Sequence, residues 1–249
     1  ETIINPRALL VLIAYLCCFP VVIYAEKLVE LKLGPAVNLE DNIRKENHRL
    51  FFRSDPIIEP YPSIMFRIGP VVINKDGGGV ALLHKKDLKL AATLLYEGEP
   101  YEGPNMDERV RSIFLGGLIN IYQLTFQYYK DIQNKSNGSV ITITYAPKFN
   151  FGKFMISPRP FYQHWNDHYV NYYFGVKPSE IDLSRNRATY DGSAATNYGL
   201  NIRTVYTDGP WQYFINIGQK YYGDTIASSP TTHKKQSVRL VLGFIYSFF

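Results

Sequence analysis

The chain has 249 residues, with 27 Lys+Arg against 22 Asp+Glu, for a net charge of +5. That excess is mild and dispersed along the chain, which argues against a nucleic-acid partner, whose binder would gather its basic residues in one patch. Aromatic content is high, at 20 Tyr, 15 Phe and 2 Trp, yet mean hydropathy is only −0.16, a combination that suits strands apolar on alternate residues.

Arg7 precedes an apolar run, Ala8 to Tyr24, which Pro20 interrupts and Ala25 follows. This pattern predicts a secretory signal peptide over residues 1–25, cleaved after Ala25, with the rest of the protein, residues 26–249, as one domain. The run is also about as long as a thin spanning helix needs, roughly 17 residues. Pro20 and the strand-like sequence beyond favour cleavage. Cys17 and Cys18 both lie in this segment. A mature chain would therefore have no thiol for a disulfide, a metal site or a nucleophile.

From there two-residue alternation recurs to the end. Val29, Leu31 and Leu33 alternate with Glu30 and Lys32. Pro62, Ile64, Phe66 and Ile68 alternate with Ser63, Met65 and Arg67. Leu88, Leu90, Ala92, Leu94 and Tyr96 face away from Lys89 and Glu97. Similar runs begin at Ile113, Leu124, Ile141, Phe154, Tyr198 and Trp211. In the last run, Val238, Leu240, Leu242, Phe244, Tyr246 and Phe248 share one wholly apolar face, with Arg239 on the other. Each run is about as long as a tilted membrane strand, ~9–11 residues. Their polar faces carry ions where a soluble sandwich would want a core. Aromatics gather at run ends, as a membrane–water girdle requires: Tyr96, Tyr101, Tyr145, Trp165, Tyr206, Trp211, Tyr221, Tyr222, Tyr246 and Phe248.

Connections alternate between long polar loops and tight turns. The turns are placed at Gly69-Pro70, His84–Asp87, Tyr122-Gln123, Gly152 and Asp208-Gly209-Pro210. The fold expected is all-β: a transmembrane antiparallel up-and-down β-barrel. It has 12 strands if the run from Val71 turns at Gly77-Gly78-Gly79, and 10 if those weak halves are not strands. An open edge is not tolerated in lipid, so the last strand should pair with the first, Lys27 to Asn38. Arg239 is then expected near Glu30 or Lys32.

The order of motifs in the C-terminal part resembles the MipA/OmpV family (MltA-interacting protein) of Gram-negative outer-membrane proteins. The matching residues are Pro160, Tyr173-Phe174-Gly175-Val176, Tyr190-Asp191-Gly192, Trp211, Gly223-Asp224, Ser229-Pro230 and Gly243 to Phe248. The resemblance is specific over 154–249 and weaker before it. Phe249 extends the chain by one residue past the usual end, and Arg185 and Arg187 make the Tyr-Asp-x-Gly loop more basic than the family's. The resemblance implies an outer-membrane barrel inserted by the barrel-assembly machinery. It also implies proposed roles as a scaffold joining a murein transglycosylase to a murein synthase, or in envelope maintenance. It implies no catalytic residue.

The residues themselves point the same way. His164 and His168 flank Trp165 and Asp167, a weak metal or base–orienter pattern that reads better as a polar loop root. No enzyme, cofactor or metal is expected. The lumen-facing charges expected are Glu30, Glu59, Arg67, Glu97, Arg159, Arg203, Lys220 and Arg239, with Lys32 and Lys89. They can cross-link a narrow lumen, or, through the cations of the late strands, favour small anionic solutes in a pore. Basic loop residues such as Arg44, Lys45, Arg49 and Lys234 suit contact with lipopolysaccharide in an outer-membrane lipid leaflet.

Overall fold

The computed structural model describes residues 29–49 and 52–249. The signal-peptide expectation over 1–25 lies outside the described residues. The described chain forms one antiparallel sheet closed on itself. Its strands are β1 (Val29–Glu40), β2 (Ile57–Ile68), β3 (Val71–Asn74), β4 (Gly77–Lys85), β5 (Leu88–Glu97), β6 (Ser112–Ile121) and β7 (Leu124–Asp131). There follow β8 (Ser139–Tyr145), β9 (Phe149–Phe151), β10 (Phe154–Trp165), β11 (Ala195–Asp208), β12 (Trp211–Tyr221) and β13 (Gln236–Ser247). Neighbours in sequence pair up and down around the ring, and β13 returns to β1. The fold is a transmembrane barrel of twelve strands rather than ten, because both halves of the run from Val71, β3 and β4, pair as strands of the ring, while β8 and β9 are one strand in two pieces. Both pair with β10 in a single register, Thr144↔Phe161 and Phe149↔Ile156. The ladder lapses between them, where that register sets Pro147 opposite Pro158 and Pro160 opposite Tyr145, three prolines without an N–H.

Alternation sets the two faces as the sequence predicts. Leu94, Leu115, Ile119, Ile141, Leu200, Ile202, Ile215, Ile217 and Leu242 are exposed on the outside, where lipid rather than water makes exposure favourable. Among the described residues no helix is long and apolar enough to cross a membrane. The strands do the crossing.

Four expectations change. First, the β3–β4 hairpin turns at Lys75-Asp76, so the glycine triplet belongs to β4. Gly77 has φ 150° and a side chain there would strike the Leu94 carbonyl, which is why this strand begins on glycine. Second, Trp165, Tyr101 and Tyr222 are not girdle residues; they are buried, at 0%, 2% and 8% exposure. Trp165 sits an odd number of positions from the outward Phe154, Ile156 and Tyr162, so the pleat turns it inward. Third, Arg239 lies opposite Glu40, 3.7 Å away, and donates to the Asn38 side chain at 2.7 Å; Glu30 and Lys32 sit far down the same seam, Lys32 opposite Ser247. Fourth, the lumen is not polar throughout. Ala36, Val205, Phe214, Val241 and Ile245 face inward and pack together with Tyr61 and Met155.

Candidate functional site: the lumen and its outer plug

The five tight turns and the C-terminal end lie at one mouth of the barrel; the long loops lie at the other. The longest, 166–194, opens with the helix α1 (Asp167–Phe174). Asn166 caps it: its side-chain oxygen accepts from the Tyr169 N–H at 3.1 Å and from the Ser139 N–H at 2.8 Å. The cap thereby ties the helix start to the start of β8. Tyr169, Val170, Tyr173 and Phe174 are all buried, a spacing that puts them on one helical face. That face is driven into the loop-side mouth of the barrel. It meets Trp165 and Phe114, with ring centroids 4.7 Å apart for Trp165–Tyr169 and 6.0 Å for Phe114–Tyr169. Val140, Tyr129, Ala195, Ile43, Tyr222 and Ile226 complete the cluster. Gly175 follows the helix, and a Cβ there would strike the Asn171 carbonyl oxygen, to which the Gly175 N–H donates at 3.0 Å.

Arg44, from the β1–β2 loop, locks the plug. Its guanidinium lies 3.8 Å from the Phe174 ring centroid and 4.9 Å from that of Tyr101. Its Nη2 donates to the Tyr173 carbonyl at 2.8 Å, and its Nη1 to Thr231 Oγ1 at 3.0 Å. A cation thus stands at the carbonyl end of the helix, where the dipole favours it. Burial lowers the Arg44 pKa to about 10, which leaves it charged at neutral pH. Ser229 donates to the Phe174 carbonyl at 2.6 Å. A second buried pair braces the far end: Arg109 Nη2 lies 2.7 Å from Glu180, with both side chains at most 3% exposed. Glu180 also accepts from the Lys177 and Asp107 N–H groups. Burial works to raise the Glu180 pKa, but Arg109 and these donors outweigh it and hold the carboxyl below its ordinary range.

Beneath the plug lies a cavity of about 510 Å³. Its acidic lining is Glu40, Asp41, Glu59, Asp76, Glu97 and Glu99; its basic lining is Arg44, Lys75, Arg111, Arg159, Lys220 and Arg239. Of the charges singled out in the sequence, Glu59, Glu97, Arg159, Lys220 and Arg239 therefore meet at one cavity. Lys220 stands 4.2 Å from the Trp165 ring centroid and 3.9 Å from Glu99. Glu30 and Arg67 lie apart from it, at the turn end, 3.7 Å from each other, with Lys32 2.8 Å from Glu30. Arg203 also faces inward, its Nε buried and without a hydrogen-bond partner. The late strands contribute cations, as read from sequence, but Glu40, Glu59 and Glu97 answer them from the early strands, Glu40 directly across the seam from Arg239.

The family-motif loop divides between two jobs. Tyr173 and Phe174 fill the plug, while Val176 pairs with Tyr190 of the Tyr-Asp-x-Gly stretch. Arg187 in that stretch is buried and donates to the Glu180 and Pro104 carbonyls at 2.9 and 2.7 Å. On the closing strand, Phe244, Tyr246 and Phe248 face outward, and Tyr246 packs on Trp211 and Phe248 with centroids 4.8 and 4.9 Å apart. Arg44, expected from the sequence in a basic loop facing lipopolysaccharide, is instead 6% exposed and committed to the plug. Arg109 and Glu180, in polar loops with no periodic signal, are not singled out by the sequence. His164 lies 3.4 Å from Thr196 Oγ1, and among the described residues no group of three or more His, Cys, Asp or Glu could hold a metal.

Comparison with known proteins adds to this geometry. OccAB3 of Acinetobacter baumannii is similar with a TM-score of 0.38 and 13% identity, over 88% of this chain and 65% of that one. The chain thus spans about 65% of the length of that structure. OprD of Pseudomonas aeruginosa is similar with a TM-score of 0.28 and 10% identity, over 89% and 96% of the two chains. No curated protein matches. The model of the family described as MltA-interacting protein MipA matches residues 34–248. With that match covering most of a plugged, twelve-stranded barrel, the chain belongs to the MltA-interacting protein MipA family.

Proposed function

We propose that this protein is a non-enzymatic scaffold in the outer membrane of a Gram-negative cell. On this reading it holds murein-remodelling enzymes at the envelope or maintains the envelope more generally. The observation that carries the reading is the plug. Trp165, Tyr169, Tyr173 and Phe174 are fully or almost fully buried, with Arg44 pinned beneath them. A rigid stopper of stacked rings suits a barrel that presents a fixed surface better than one that passes solutes. The family's name supports a murein transglycosylase, MltA, as the partner. A murein synthase would be the second enzyme tethered, and lipopolysaccharide would contact the basic loops.

A narrow pore is the second reading, favoured by the cavity below the plug. Its lining of six acidic and six basic residues gives no preference for anions. Pull-down from crosslinked envelopes, read beside single-channel conductance of the purified barrel, separates the two. Recovery of a murein transglycosylase with a silent barrel supports the scaffold. Steady conductance without that partner overturns it.

A further inference from the structure

The barrel wall is not of even height. β2 runs for 12 residues, while β3 has 4 and pairs only with Met65–Ile68. β4 ends its ladder to β5 at Gly77↔Leu95. Above the Lys75-Asp76 tip, among the described residues, no strand lies between Ile57–Ile64 of β2 and Tyr96-Glu97 at the end of β5. Two half-strands are missing from the loop-side part of the wall. At a strand spacing of about 4.8 Å this leaves an opening roughly 10 Å wide.

The edge of β2 is adapted to that opening. A strand sends its N–H and C=O groups to alternate sides, residue by residue. Ile68↔Val71 closes a two-residue turn, so the even-numbered residues of β2 address the β3 side. Above the tip those residues are Ile58, Pro60, Pro62 and Ile64. Pro60 and Pro62 have no N–H, so half the donors that would face hydrocarbon at this edge are absent. An unpaired donor there is costly. The same prolines deny a second chain the donors it needs to add a strand.

The cavity reaches the opening. Glu59, Lys75, Asp76, Tyr96 and Glu97 all line it. Tyr96 points outward and is 54% exposed, so the cavity comes up to the edge of the wall at a residue whose side chain stands on the lipid side. Its inner lining carries both charge signs in equal number. The outer rim is apolar, with Ile58, Ile64 and Leu94 exposed. A charged chamber behind an apolar slot matches a molecule with a small polar head and one chain.

We propose that the low β3–β4 hairpin leaves a lateral port, through which a single-chain zwitterionic amphiphile sets its head in the lumen while its acyl chain stays in the membrane. This inference is independent of the scaffold reading.

The test uses the full chain with Cys17→Ser and Cys18→Ser, folded into phosphatidylcholine vesicles. Bimane is placed singly at Glu59→Cys, Ile64→Cys or Asn201→Cys, and each variant is first shown to be folded by its heat-shifted migration on gels. The quencher is lysophosphatidylcholine brominated on its acyl chain. Ile64 faces lipid, and Asn201 faces the lumen behind a fully paired wall. Quenching at Glu59→Cys should exceed that at Asn201→Cys several-fold and approach that at Ile64→Cys. Equal, weak quenching at Glu59→Cys and Asn201→Cys, with Ile64→Cys quenched, overturns the port. Spontaneous disulfide-linked dimers of a Pro62→Cys variant would show a second copy on the edge and overturn the amphiphile as its occupant.

Discussion

Arg44 shows how much of the plug rests on one side chain. It bridges the β1–β2 loop to α1 and to the β12–β13 loop through Tyr173 and Thr231. Arg44→Met keeps much of the packing on Phe174 but leaves the Tyr173 carbonyl buried without its donor, at a cost of about 1–3 kcal/mol. The expected result is faster proteolysis within 166–194 while the barrel itself keeps its heat-shifted migration. Glu180 adds a pH dependence of defined sign. Its carboxyl titrates lower in the folded plug than in an unfolded loop. The Arg109–Glu180 contribution is therefore complete above the ordinary carboxylate range and is lost as pH falls through the lowered folded value. Protease sensitivity of 166–194 should rise as pH drops below that range. Glu180→Gln should be sensitive already at neutral pH and respond less to acid, and an unchanged acid response in that variant would place the titrating group elsewhere.

At the scale of the element, the strands were the most legible part of the sequence, because a period of two with unlike faces survives in every long run. Ile215 is exposed to lipid and Asn216 faces the lumen beside it. Ile215→Arg should cost ~2–4 kcal/mol near the midplane, read as a lower urea midpoint in vesicles, and Asn216→Arg clearly less. Val241 also points inward but is not a cheap site for such a charge, because it is buried in one apolar cluster with Phe214 and Ala36. That cluster was illegible since inward apolar residues look like interruptions of a polar face. The plug was illegible for another reason. Helix α1 lies in a loop, and its signal, Asn166 as cap with buried positions 169, 170, 173 and 174, spans barely two turns. The inward turn of Trp165 could have been read by continuing the pleat count from Phe154. The low β3–β4 hairpin could not. Its glycines suggest a turn, and only the ladder shows that the turn precedes them.

At the scale of the whole molecule, closure of the ring is the feature on which every other one depends. The seam brings Leu33 opposite Tyr246, Val37 opposite Leu242 and Leu39 opposite Leu240. It continues past the last strand residue, where the Phe248 N–H donates to the Leu31 carbonyl at 2.9 Å. Val37 and Leu242 share the outward face. The bonds Asp41 N–H to Val238 and Phe248 N–H to Leu31 show that odd-numbered β1 residues address β13. Val37↔Leu242 is therefore a hydrogen-bonded pair, with Cα atoms about 5.5 Å apart, inside the range a disulfide accepts. Cysteines at Val37 and Leu242 should crosslink under mild oxidation and hold the barrel's compact migration after boiling without reductant. Cysteines at Leu31 and Leu242 should not, since Leu31 lies six residues down β1 from Val37, roughly 20 Å along the strand. Removing Phe248 and Phe249 takes away the Leu31 contact and the Tyr246–Phe248 ring pair. That truncation should slow insertion more than removing an equal length from the 225–235 loop. Crosslinking at Leu31 with Leu242 in place of Val37 with Leu242 would mean the seam has slipped, and the lumen pairing of Arg239 with Asn38 and Glu40 would slip with it.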